Sequence, residues 1–149
     1  MTSARANAVT NVSGSPLVRK LGIKPEARIG LIGAPDGFDE TLGDLPAGVD
    51  VRRRLAGLPF DVIVAFFARR AALERRLPAL AGALHPAGGL WIAWPKRASG
   101  VSTDVTESIV RDLGLAAGLV DNKVCAVDQV WSGLRLVYRL RDRPVSRRP

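Results

Sequence analysis

Phe60-Asp61-Val62-Ile63-Val64-Ala65-Phe66-Phe67-Ala68 is the stretch on which the fold turns. Asp61 is its one charged residue, and the rest is β-branched, aromatic or alanine. A strand this continuously apolar needs cover on both faces, which is the habit of parallel sheets flanked by helices. Even extended back to Leu58, the run is far too short to cross a bilayer.

Working outward, Arg28 to Ala34 predicts a second buried strand that ends in a glycine turn. Pro35, Asp36 and Gly37 mark a turn, Phe38 to Leu45 a short helix, and Pro46 to Gly48 its break. Val49 and Val51 flank Asp50 near the end of a brief strand that runs into Arg52, Arg53 and Arg54. Farther upstream, Leu17, Val18, Leu21 and Ile23 predict one short helical turn docked on the core.

Downstream, Leu73, Leu77, Leu80 and Leu84 repeat at helical spacing, with Arg69, Arg70, Glu74, Arg75 and Arg76 on the remaining faces. Pro78 should bend or interrupt this helix because it lacks the amide hydrogen of the ladder. His85 to Gly89 reads as a turn, and Leu90 to Trp94 as another apolar strand ended by Pro95 and Lys96. Asp104, with Glu107 three residues on, predicts a reciprocal cap at the start of a helix whose buried stripe is Val105, Ile109 and Leu113, with Gly118 as its stop. Leu119 to Val127 and Leu134 to Leu140 then predict two strands whose short connection forces an antiparallel pair.

Strands alternating with helices in this order predict a three-layer α/β domain with a mostly parallel sheet and an antiparallel hairpin at its end. With 149 residues, 47% of them hydrophobic, the chain suits one domain and is too apolar for a disordered regulator. Residues 1–15 read as a flexible lead-in, 16–140 as the domain and 141–149 as an Arg-rich tail. The formal net charge is +8, but Arg139 to Pro149 alone contributes +4. The basicity is therefore largely a property of the tail. Cys125 and His85 are the single cysteine and histidine, which excludes an intramolecular disulfide and any cysteine- or histidine-rich metal site. Without an apolar core in Met1 to Ser15, a secretory signal is not expected, and a cytoplasmic protein without a membrane is the default.

The glycine turn after the first strand, the opening Phe60-Asp61-Val62-Ile63-Val64, the run Leu84-His85-Pro86-Ala87-Gly88-Gly89-Leu90-Trp91 and the hairpin after Ala117-Gly118-Leu119 are similar to the scaffold of Rossmann-like S-adenosylmethionine-dependent methyltransferases. This resemblance covers about residues 25 to 140. In that superfamily a Pro-Gly-Gly turn precedes the fifth strand and the last two strands form the reversed pair. Trp94-Pro95-Lys96, Gly118-Leu119-Val120 and Trp131 to Val137 also resemble a group of short bacterial proteins classed as a domain of unknown function, which brings no activity with it.

The methyltransferase resemblance implies S-adenosylmethionine held by an acidic residue and a Gly-x-Gly turn at the end of the first strand, and by an acid at the end of the second. Here the turn is Gly30-Leu31-Ile32-Gly33-Ala34-Pro35-Asp36-Gly37, without that acid, and Asp50 is followed by three arginines. Ala65-Phe66-Phe67-Ala68 stands where enzymes that methylate amino groups carry Asn/Asp-Pro-Pro-aromatic. The cofactor signature is degraded where it should be strongest.

Ligands of open α/β sheets bind beyond the carboxyl ends of the strands, where the winding reverses. Gly33, Asp36, Phe38, Phe66, Trp94 and Lys96 are expected to converge there, with Lys96 a point charge for a phosphate or carboxylate. Trp94 and Trp131 read as rim packing, Phe66 and Phe67 as core, His85 as a turn residue, and Cys125 as a small buried residue rather than a nucleophile. The leading expectation is a methyltransferase-like binding or regulatory module, without catalysis, for a small anionic ligand or a protein partner. Alternatives are an active S-adenosylmethionine-dependent transferase, and a nucleic-acid-associated protein using the Arg-rich end or a stripe of Arg52, Arg53, Arg54, Arg69, Arg70, Arg75 and Arg76.

Overall fold

The computed structural model describes residues 15–57 and 59–139. Residues 1–14 of the expected lead-in, Leu140 at the end of the expected last strand, and the tail 141–149 lie outside the described residues. The elements run α1 (Pro16–Leu21), β1 (Arg28–Ile32), α2 (Phe38–Leu42), β2 (Asp50–Arg52), β3 (Phe60–Phe66), α3 (Arg70–Ala83), β4 (Leu84–Pro95), α4 (Glu107–Ala116), β5 (Leu119–Ala126) and β6 (Trp131–Tyr138). No helix among the described residues is long and apolar enough to cross a membrane.

The strands form one sheet in the order β2-β1-β3-β4-β6-β5. The first four are parallel, and β6 lies antiparallel between β4 and β5. Successive side chains of a strand alternate between faces, and the core divides accordingly. Val62 and Val64 join Ile29, Leu31 and Trp91 under Leu17, Val18 and Leu21 of α1 and Phe38 and Leu42 of α2. Ile63 and Ala65 join Leu90, Ile92, Leu134 and Leu136 under Leu73, Leu77 and Leu80 of α3 and Val110 of α4. Helices on both faces of a sheet buried through its centre make the three-layer α/β fold expected from the continuous apolar strand.

Short helix α1 is held by partners rather than by propensity, since six residues cannot repay helix nucleation. The Ser15 hydroxyl accepts the Val18 amide hydrogen and donates to the carbonyl of Leu42, tying α1 to α2. Fully buried Trp91 donates its indole N–H to Leu21 O at 3.0 Å, pinning the end of α1 to the sheet.

Several local expectations are corrected. Asp104 does not cap α4: its carboxylate accepts the Arg70 amide hydrogen at 2.7 Å, so it caps α3, 34 residues earlier. Thr106 caps α4 instead, its hydroxyl accepting from Ile109 N. The buried face of α4 is also rotated by one residue, because Leu136 packs against Gly114. Val105, Val110 and Gly114 are buried, while Ile109 and Leu113 are partly covered. His85 to Gly89 is not a separate turn: β4 already begins at Leu84, opposite Phe60, and the segment bulges before pairing resumes at Gly89 opposite Val62. Helix α3 runs through Pro78 to Ala83 without interruption. Strand β6 starts at Trp131, earlier than expected, because Trp131 pairs with Pro95.

The two margins of the sheet differ. Strand β2 has three residues, with Asp50 bonded to Arg28 and Arg52. Strand β5 exposes Asn122, Lys123 and Val124 and shifts register between Asp121 and Lys123.

Candidate functional site

The chain leaves β1 to one side for β2, then returns across it for β3. The winding therefore reverses between the carboxyl ends of β1 and β3, the place where ligands of such sheets bind. Gly33 follows β1 with φ 68°, a left-handed conformation that glycine takes without strain. A Cβ on Gly33 would stand 3.2 Å from the Phe66 carbonyl oxygen, so its close approach already serves the neighbouring strand. Phe38, at the start of α2, meets Phe66 edge-to-face with ring centroids 4.9 Å apart, and Phe66 meets Trp131 at 5.1 Å. These three rings floor the switch point, so Phe38 and Phe66 are core side chains. Asp36 is exposed at the rim.

Trp94 does not join this group. Phe66 pairs with Ala93, so Trp94, one residue further, points to the opposite face and packs with the α3/α4 core. It helps to line a separate cleft of about 440 Å³ with Arg97, Val101, Thr103, Thr106 and Glu107. Lys96 lies half-exposed past the end of β4, its amide donating to Val130 O at 2.7 Å. The six residues expected to converge thus divide: Gly33, Asp36, Phe38 and Phe66 stand together, and Trp94 and Lys96 stand elsewhere along the same edge.

Asp50 is the first residue of β2 rather than its last, so it stands at the amino edge. Arg52 and Arg28 hold its carboxyl below the usual carboxylate range, the Arg52 hydrogen bond contributing most. At the carboxyl end of β2 the chain places Arg53, which donates to both oxygens of Asp39 at 3.0 and 2.9 Å. No local pattern in the sequence pairs these residues, since they lie fourteen positions apart on different elements. The cleft between them, lined by Asp36, Phe38, Glu40 and Arg53 among others, has a volume of about 240 Å³.

Among the other candidates, Cys125 is half-buried, and burial pushes its thiol up, away from the thiolate a nucleophile needs. His85 Nδ1 accepts the Ala87 amide hydrogen at 3.0 Å, in keeping with a structural part in the bulge. Arg52, Arg53 and Arg70 of the suggested basic stripe are in ion pairs with Asp50, Asp39 and Glu74. Among the described residues, no group of three or more His, Cys, Asp or Glu side chains is placed to hold a metal ion.

The fold is that of the Rossmann-like S-adenosylmethionine-dependent methyltransferases. The chain is similar to an S-adenosylmethionine-dependent methyltransferase from Aquifex aeolicus at 16% identity and a TM-score of 0.59, covering 80% of this chain and 86% of that one. It is also similar to magnesium protoporphyrin IX methyltransferase from Synechocystis PCC 6803 with bound S-adenosylmethionine, at 12% identity and a TM-score of 0.55, covering 83% and 74% of the two chains. A TehB-like methyltransferase from Corynebacterium glutamicum gives 14% identity and a TM-score of 0.54 over 83% of this chain and 85% of that one. No family model and no curated protein matches the chain, so the narrower likeness to a domain of unknown function is not confirmed. At these identities the likeness establishes the scaffold alone.

The residues at the switch point do not fit S-adenosylmethionine. The glycine approach is taken by Phe66, Pro35 offers no N–H, and the second strand ends in arginine where a carboxylate should meet the ribose. Arg53 also occupies both oxygens of Asp39.

Proposed function

We propose that this protein is a methyltransferase-like binding module that works in the cytoplasm without methyl transfer and takes a small anionic or zwitterionic ligand. The observation that carries this reading is the Arg53–Asp39 ion pair. It sets a cation, already bonded to an acid of the chain itself, where the scaffold would present a free carboxylate to a nucleoside. Both side chains are more than half exposed, so the pair adds little to stability. Its consequence is local: the cation beyond the second strand is already answered by Asp39, with Asp36 and Glu40 beside the pair.

Isothermal titration calorimetry with S-adenosylmethionine and S-adenosylhomocysteine tests the reading. Neither is expected to bind with a Kd below about 100 µM, which corresponds to about 5.5 kcal/mol. Saturable heat below that Kd for either compound overturns it.

A further inference from the structure

The opposite edge of the sheet holds a cleft to which the scaffold assigns no role. About 370 Å³ in volume, it opens at the amino ends of β3 and β4, under the loop that joins α1 to β1. Lys24, Glu26, Asp61, His85, Gly88 and Arg135 contribute to its lining. The volume is within the range of small-molecule sites.

Arg135 is the telling residue. It lies on β6 opposite Trp91, on the α1 face of the sheet, and its side chain extends across Gly89. A Cβ at Gly89 would stand 2.7 Å from the guanidinium carbon, so the glycine is what leaves room for the cation. Arg135 is partly buried, yet its side chain forms no hydrogen bond or ion pair with any of the described residues. A guanidinium withdrawn from water without a partner costs folding free energy. Burial accordingly pushes its pKa down. Five donors in a rigid fork remain to be satisfied, and a carboxylate matches that fork in a bidentate way.

The charge of the cleft is divided rather than uniform. Asp61, whose Oδ2 accepts the Arg28 amide hydrogen, supplies a carboxylate on the β3 side and Arg135 a cation on the β6 side, with exposed Lys24 on the loop above, while the Glu26 carboxylate lies against Gly48. Glu26 is also the one described residue other than glycine with positive φ, 68°. Such backbone strain persists only where the surrounding structure imposes it. A phosphate dianion would be opposed by the Asp61 carboxylate, and a purely cationic ligand would leave Arg135 unanswered. A zwitterion satisfies both sides.

We propose that the amino-edge cleft binds a free amino acid, with the carboxylate on the Arg135 guanidinium and the ammonium on Asp61. The proposal rests on the binding-module reading and gives it a ligand class and a site.

The test screens the twenty L-amino acids at millimolar concentration by thermal shift on the full chain. The strongest is then measured by calorimetry beside acetate, inorganic phosphate and methylamine. At least one amino acid is expected to raise Tm and to bind ten times or more tightly than any of the three controls. Arg135→Gln should weaken that binding at least tenfold, with Tm of the free protein unchanged or raised, because it removes a partly buried unpaired charge. Arg75→Gln, on the exposed face of α3, should leave binding unchanged. Should Arg135→Gln fail to fold, Asp61→Asn is expected to erase the preference for the amino acid over acetate. A screen in which no amino acid shifts Tm, binding that survives Arg135→Gln, that preference surviving in Asp61→Asn, or equal binding of acetate or phosphate overturns the proposal. Failure here with S-adenosylmethionine still silent leaves the binding-module reading in place. Binding of S-adenosylmethionine would overturn that reading at the other edge of the sheet.

Discussion

Replacing Trp91 with phenylalanine should destabilise the protein by about 2 to 4 kcal/mol, although the substitution keeps an aromatic ring at a fully buried position. Two losses combine. The Leu21 carbonyl forfeits its 3.0 Å indole donor in a buried setting, at a cost of about 1 to 3 kcal/mol. The missing part of the indole leaves a void of roughly 40 Å³, which at about 24 cal/mol per Å³ adds about 1 kcal/mol. Since Trp91 holds the end of α1, the helix should loosen first, exposing Leu17, Val18 and Leu21. Urea unfolding gives the measurement, with Trp94 and Trp131 as remaining fluorophores. The midpoint should fall in proportion to the lost stability at nearly constant slope. A loss below about 1 kcal/mol would refute the reasoning, because it would mean that the indole neither serves Leu21 nor fills the core.

Two further expectations follow from the caps and charges. Asp104→Ala should cost about 1 kcal/mol by uncapping α3, and Thr106→Ala about the same at α4; the double variant, measured by urea midpoint, should show near-additive losses. A strongly non-additive result would return Asp104 to α4. Asp50 is held below its unfolded-state value, so its contribution to stability is present above about pH 4 and is lost as the pH falls through its folded value. Midpoints measured from about pH 6 down to pH 2 should therefore decline less steeply in Asp50→Asn than in the parent, and identical profiles would refute the assignment.

What the sequence made legible, and what it did not, follows from the range of each signal. Strands β1, β3 and the core of β4 were readable because a strand covered on both faces has no choice but to be apolar throughout. Their parallel order followed from the helices between them. The cap of α4 was misplaced because a carboxylate near a helix start bonds whichever free amide the fold brings closest, and for Asp104 that amide belongs to Arg70. Sequence spacing cannot separate a local cap from one delivered across space. The placement of Trp94 failed for a related reason: which face a strand residue takes at the switch point depends on register, and Phe66 opposite Ala93 settles it by one position. Asp50 was assigned to the wrong end of β2 because three residues of strand carry too little pattern to mark where it begins and ends. The amino-edge cleft left no trace at all, since Lys24, Asp61, His85 and Arg135 come from four separate segments, each ordinary in its own neighbourhood.

The margins of the sheet carry a last consequence. An exposed strand edge is a template for polymerisation, and this molecule blunts both of its templates by different means. On one side the rung is only three residues long and its flank is charged through Arg28, Asp50 and Arg52; on the other, a register slip beside Asn122 and Lys123 spoils the even spacing that an incoming chain would need. Crowded solutions should therefore meet little drive toward fibrous growth by edge-to-edge joining of sheets, and the parallel interior stays a private structure of each molecule.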